Sequence, residues 1–297
     1  LKAVLLHPPG AELNEVTDPN ALQLLAPVNI DRARQQHDAL AQAYRSAGVE
    51  VHYVDIEGTG PPNLIFVADL MFMTPEGAIL GRPASTVRAG EERRVARRLA
   101  SLGIPILRSV RGKGAFEGAD AAWLDPATAL LATGLRTNAE GAAQVSSLLG
   151  EMGVEVVSTG LPHGTMHLMG QLRFADRDLA IAWPGRVPHA ALEALRSRGY
   201  TVIFLPDEGE AVRGMALNFV TLRPRTILMA AGNPVTQAFM EDAGITCHTV
   251  EVDELAKAAG GIGCLTGILE REEEFGLANE PGAGWDAEER VDVRGER

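Results

Sequence analysis

Five glycines constrain this chain more than any other feature. Gly48, Gly103, Gly153, Gly199 and Gly244 each close a helix-patterned segment and open a short β-branched run, at intervals of 55, 50, 46 and 45 residues. One such unit is the ordinary αβ connection, with glycine taking the left-handed position just past a helix end. Five at a near-constant period make a supersecondary repeat, in which similar modules stack and function gathers where they meet. The helices before the glycines read DRARQQHDALAQAYRSA, EERRVARRLASL, AEGAAQVSSLLGEM, PHAALEALRSR and PVTQAFMEDA.

Between each glycine-strand and the next helix stand two more strand-length runs joined by a turn. The turn signals are TPEG at 74–77, DPAT at 125–128, ADRD at 175–178 and RPRT at 223–226. Each module therefore reads strand, strand, helix, strand. The last is cut short after Cys264, and the opening strand at 4–6 is free to complete it, which would close a five-module ring and remove an exposed sheet edge. An open doubly wound sheet would use similar helices and strands but gives no reason for a turn signal inside every unit. Periodicity ends near residue 275, so residues 1–275 are read as one domain and 276–297 as a polar tail, with Trp285 packing back.

A net charge of −12 argues against nucleic acid, which demands clustered Lys and Arg, and is compatible with a cationic substrate. The two cysteines, Cys247 and Cys264, lie in no zinc-type spacing. They imply a reducing compartment, and a cytoplasmic location is the expectation. No apolar run reaches membrane-spanning length, and the opening run LKAVLL is stopped by two prolines, short of a signal peptide.

Polar residues that interrupt apolar strands recur once per module, just ahead of the internal turn: Asp69, Glu117 with Asp120, His167, Asn218 and Cys264. Each has a bland alternative. A strand-end carboxylate caps turns, Glu117 could sit on a solvated edge, and a histidine on an apolar strand is commonly a hydrogen-bonded core residue. His163 and His167 have the i, i+4 spacing of helical metal ligands, but Gly164 and Gly170 speak against a helix there, so no metal is expected. The GGIG before Cys264 lacks the Lys-Ser/Thr of a phosphate loop; it allows close backbone approach and N–H groups aimed at a thiolate. Cys247 reads as buried and inert.

At these residues the chain resembles the guanidino-group modifying enzymes of the pentein fold: arginine deiminase, dimethylarginine dimethylaminohydrolase and the amidinotransferases. VLLHPPGAEL is similar to the first strand and turn of that family, FVAD to its guanidinium-binding segment, FEGAD to its EGGD-type motif, MHL to its histidine motif and GGIGCLTG to the approach to its nucleophile. LRTN and RAGEE resemble segments that hold the substrate carboxylate. The resemblance implies an α/β fold, a five-bladed α/β propeller of pseudosymmetric ββαβ modules. It implies Cys264 as nucleophile, His167 as general acid and base, Glu117 and Asp69 on the guanidinium, and Arg88 and Arg136 on the α-carboxylate. Asp120, orienting its neighbours, and Asn218, the polar residue of its module, are expected with the substrate-binding residues. Met169 stands where deiminases and amidinotransferases carry an aspartate, which leans toward the dimethylaminohydrolase branch; Ala68 departs from that branch's FVED.

The implied activity is hydrolysis of a C–N bond in a free arginine-type guanidine through a thiouronium on the cysteine. Amidinotransfer and a catalytically silent guanidine-binding protein are the alternatives. The implied partner is a small cationic amino acid, with a homodimer left open; neither nucleic acid, membrane, metal nor organic cofactor is expected.

Overall fold

Residues 1–13, 16, 18–54 and 60–272 are described in the computed structural model; the expected tail at 276–297, with Trp285, lies outside them. Chain order opens with β1 (Ala3–Leu6), α1 (Ile30–Ser46) and β2 (Glu50–Tyr53). Three complete modules follow: β3 (Met71–Thr74), β4 (Gly77–Leu80), α2 (Glu91–Ser101), β5 (Ile106–Ser109); β6 (Ala121–Asp125), β7 (Thr128–Thr133), α3 (Ala139–Glu151), β8 (Glu155–Gly160); and β9 (Leu172–Phe174), β10 (Leu179–Ala182), α4 (His189–Ser197), β11 (Thr201–Phe204). A short α5 (Glu208–Arg213), not anticipated from the sequence, precedes β12 (Val220–Arg223), β13 (Thr226–Ala230), α6 (Pro234–Asp242) and β14 (Thr246–Val250). The described chain ends through α7 (Asp253–Ala256), α8 (Ile262–Leu265) and β15 (Gly267–Glu270).

The fifteen strands form five three-stranded sheets with one plan. In each, the first strand runs antiparallel to the middle one, and the middle one parallel to the third across the connecting helix. The fifth sheet is circular in sequence: β15 from the C-terminal side pairs with β1, Val4 opposite Ile268, and β1 pairs in parallel with β2, Val4 opposite Val51. This is the ring closure the truncated last module calls for.

The five period-marking glycines all take positive φ, between 76° and 79°. That conformation lets each helix reverse directly into its third strand, where an L side chain would be strained. Asn29 and Asn138 start α1 and α3 by accepting the Arg32 and Gly141 main-chain N–H groups. The middle strands β1, β4, β10 and β13 are buried along their whole length, and β7 is buried except at its last residue. A strand covered by helices on one side and the ring's interior on the other has to be apolar on both faces. The third strands β2, β5, β8, β11 and β14 carry exposed residues instead.

The recurring polar residues do not lie within strands, as the sequence suggested. They lie on short helical turns that feed the first strand of each blade: Asp69 on a 3-10 turn at Val67–Leu70, Asp120 on one at Gly118–Asp120 with Glu117 as its cap, His167 capping Leu168–Gly170, and Cys264 within α8. The first turn packs on the second and on α8, and the second packs on the third. Asn218 completes the set from the non-helical segment just before β12, so each blade delivers a polar side chain ahead of its first strand.

Candidate active site

Asp69, Glu117, Asp120 and His167 are all buried. His167 Nε2 lies 2.7 Å from Glu117 Oε2, and His167 Nδ1 lies 3.9 Å from Asp69 Oδ1. Burial, the largest single influence on His167, disfavours the imidazolium. Asp69, the Glu117 hydrogen bond and the charges of Asp120 and Glu117 outweigh it and raise the pKa to about 9. Glu117 moves the other way: burial opposes its charge, but His167, Arg88 and Arg136 hold the carboxyl below its ordinary range. The site therefore rests as an imidazolium against a carboxylate. Asp120 is pushed up by burial to about 6; its Oδ2 accepts from Thr137 Oγ1 at 2.6 Å and its Oδ1 from Leu168 N at 3.1 Å, which fixes the turn behind His167.

Cys264 is held by one side chain. Asn218 Nδ2 donates to Sγ at 3.0 Å, and Cys264 N donates to Asn218 Oδ1 at 3.1 Å. Below the turn, Thr266 Oγ1 donates to Ile262 O at 2.7 Å and lies 2.8 Å from the buried Tyr44 hydroxyl. Glycine is required in the approach: a Cβ on Gly260 would lie 2.3 Å from Phe66 Cε1, and one on Gly261 2.9 Å from Asn218 Cβ. Burial pushes the Cys264 thiol up to about 11, and Asp69 adds to this, against Asn218, the Gly261 main chain and Arg173.

The two arginines are placed differently from each other. Arg136 reaches the site from its rim, Nη1 3.6 Å from Glu117 Oε1 and Nη2 donating to Gln23 Oε1 at 3.3 Å. Arg88, expected on a substrate carboxylate, is turned inward and its donors are taken: Nη1 on Asp69 Oδ2 at 2.6 Å, Nε on Glu91 Oε2 at 2.9 Å, Nη2 on the Asn63 and Phe66 carbonyls. Asp69 and Glu91 keep it charged against burial. Asn218, expected with the substrate-binding residues, hydrogen-bonds Cys264. Glu91, Thr137, Gln23 and Arg173 were not singled out in the sequence; Glu91 lies inside RAGEE and Thr137 inside LRTN, but nothing local marks the other two.

Asp69, Glu117 and His167 offer one ligand atom each within 4.8 Å of one another, the arrangement of a metal triad. Arg88 already pairs with Asp69 Oδ2 and His167 with Glu117 Oε2, so protein cations face both carboxylates. His163 is exposed and takes no part. A cavity of about 570 Å³ lined by Arg82, Thr86, Lys113 and Asn138 contains none of these side chains; its lining residue Ala84 donates its N–H to Glu117 Oε1.

Residues 9–269 match the family described as N,N dimethylarginine dimethylhydrolase, eukaryotic. The chain belongs to this family. It is 27% identical over 234 residues to the N(G),N(G)-dimethylarginine dimethylaminohydrolase of Streptomyces coelicolor, covering 79% of this chain and 84% of that one. Among solved structures, a mutant of the Pseudomonas aeruginosa dimethylarginine dimethylaminohydrolase complexed with citrulline superposes with a TM-score of 0.74 at 21% identity, covering 89% of this chain and 98% of the other. The N-terminal domain of a cyanobacterial arginine dihydrolase bound to product gives 0.75 at 20% identity, with 89% and 96% covered. The family places the chain among hydrolases of C–N bonds in amidines, and the neighbours share its five-bladed plan. Among the described residues no helix is long and apolar enough to cross a membrane.

Proposed function

We propose that this chain hydrolyses a C–N bond of a free arginine-type guanidine, arginine or N-methylated arginine, through a thiouronium on Cys264, giving citrulline and an amine or ammonia. One observation carries the reading: Asp69 Oδ1 is buried and has no hydrogen-bond partner, although Oδ2 of the same carboxylate is paired. A buried acceptor left open is costly unless a ligand supplies the donor. A planar cation with N–H groups on two edges suits that oxygen together with Glu117.

Arg88 holds Asp69 in place, and Arg136 at the rim takes the substrate carboxylate. As the guanidinium binds, the Cys264 thiol gives up its proton to solvent; the thiolate so formed attacks the guanidino carbon, and His167, cationic at neutral pH, gives its proton to the departing nitrogen as the C–N bond breaks. Neutral His167 then takes a proton from water, the oxygen attacks the same carbon, the C–S bond breaks and the thiolate is regenerated. The Met169 sulfur lies 3.2 Å from where a Cβ on Gly263 would stand, an apolar neighbour to the nucleophile's turn; this supports an N-methylated nitrogen as the leaving group. The two free thiols fit a cytoplasmic setting.

The test is mass spectrometry of the protein and its Cys264→Ser variant with arginine, monomethylarginine, asymmetric dimethylarginine and agmatine. Conversion of one compound, lost in the variant while binding persists, is expected. Turnover by Cys264→Ser at the parent rate removes the covalent mechanism.

A further inference from the structure

Arg173 lies six residues after His167, on β9, and is absent from every motif quoted above. Its Nη2 donates to the Phe219 carbonyl, and its guanidinium sits 5.6 Å from the centroid of the Phe219 ring. Phe219 follows Asn218, the residue that bonds both Sγ and N of Cys264. On the other side, a Cβ built on Gly263 would lie 3.4 Å from Arg173 Nη2 and 2.8 Å from Asn218 Oδ1. The guanidinium is therefore wedged between the segment leading into β12 and the turn carrying the nucleophile, and ties the third blade to both.

Its charge is uncompensated by any acid. Among the described residues no carboxylate lies within ion-pair distance of Arg173, unlike Arg88, which has Asp69 and Glu91. The groups that act on it are Cys264 and Tyr44, which favour the cation, and Arg271, which with burial disfavours it. Arg271 in turn donates to Thr221 O on β12. A partly buried guanidinium with no acidic partner is costly unless another anion comes to it, and the thiolate form of Cys264 is the anion at hand. The remaining charge on the thiol is Asp69, which opposes the thiolate, with His167 beyond it.

Resting on the reading of Cys264 as nucleophile, we infer that Arg173 is a positioning residue for it: the guanidinium fixes the Asn218 clamp through Phe219 and supplies the protein's own positive charge to the thiolate. This action is independent of the substrate, since Arg173 belongs to the free enzyme.

The test uses thiol alkylation by iodoacetamide as a function of pH, in the full chain without substrate, with site-resolved mass spectrometry and Cys247 as the internal control. In Arg173→Gln the midpoint of Cys264 labelling rises by about one pH unit, so labelling at pH 8 slows by ~10-fold, and Cys247 labelling is unchanged. Arg173→Lys, which keeps the charge, restores most of the midpoint. A midpoint equal to the parent's in folded Arg173→Gln overturns the inference. So does failure of both the Gln and Lys variants to fold, which would make Arg173 a scaffold residue. Because no turnover is measured, a failed substrate assignment leaves this result unaffected, and the reverse also holds.

Discussion

Replacing Glu117 by glutamine removes one charge from a fully buried site while keeping side-chain shape, and its effect is read at His167. The imidazole stands at about 9 against an ordinary 6.5, with Glu117 contributing both a hydrogen bond and a charge. A hydrogen bond to a charged group is worth ~1.5–3 kcal/mol, and 1.36 kcal/mol corresponds to one pH unit, so the change moves His167 down by ~1–2 units, to about 7–8. The amide can also donate to neutral Nε2, which pushes the same way. NMR titration of labelled imidazoles, with a His167→Gln spectrum to assign the resonance, measures it directly. The stability profile gives a second reading: a pKa raised on folding contributes stability that is complete below 6.5 and lost as pH rises through about 9. The parent should therefore weaken between those limits, and Glu117→Gln should shorten that window from its upper end. A His167 titration still near 9 in the variant would mean that Asp69 and Asp120 alone charge the imidazole, and the Glu117–His167 pairing would lose its assigned role.

Two further outcomes follow from the same geometry. Gly118→Ala would place a Cβ 2.1 Å from Met71 O and 2.6 Å from Ala68 O, main-chain atoms of the Asp69 turn and of the first residue of β3 that it feeds; it should cost about 1–3 kcal/mol in denaturant unfolding and lower activity, and a neutral result would refute this close packing. His7 and His37 are buried, and burial lowers both to about 4, the Val54 main chain only partly opposing it at His7. Their stabilising contribution is present above 6.5 and lost as pH falls through 4, up to roughly 3 kcal/mol each. Thermal melts across that range should decline, and His37→Leu should flatten the decline.

The ring was legible because its determinants are local and repeated. Five glycines demand the same positive φ, and RPRT, DPAT and TPEG mark turns directly through Pro and Gly. Circular closure by β1 was legible for a different reason, since a truncated module leaves a strand without its neighbour. The identity of the polar set was visible as interruptions in apolar runs, but not its setting: Asp69 and Glu117 look like strand residues until the 3-10 turns around them are seen, because Val, Ala, Leu and Phe suit either conformation. Pairings across blades were not legible at all. RAGEE gives no sign that Arg88 turns back to Asp69 rather than outward, and the Asn218 contact with Cys264 joins residues 46 apart. Such contacts depend on how five modules meet, which no single module encodes.

The charges of the site form a sequence of events rather than a static balance. Without substrate, Asp69 and burial keep the thiol near 11, so the nucleophile is protonated at neutral pH while His167, near 9, is cationic. A guanidinium seated on the open Asp69 oxygen, as proposed, would cancel the charge that most opposes the thiolate, after burial itself. Arg173 provides a smaller and permanent bias in the same direction. In the proposed mechanism activation therefore comes with binding, and the cation that is attacked would also be the one that generates its attacker. Glu91, pushed up to about 7 chiefly by burial, and Asp120, near 6, can give up protons as positive charge enters, which spreads the cost of a new cation over several groups. A neutral substrate would bring none of these changes, and the pocket would hold it with the thiol still protonated.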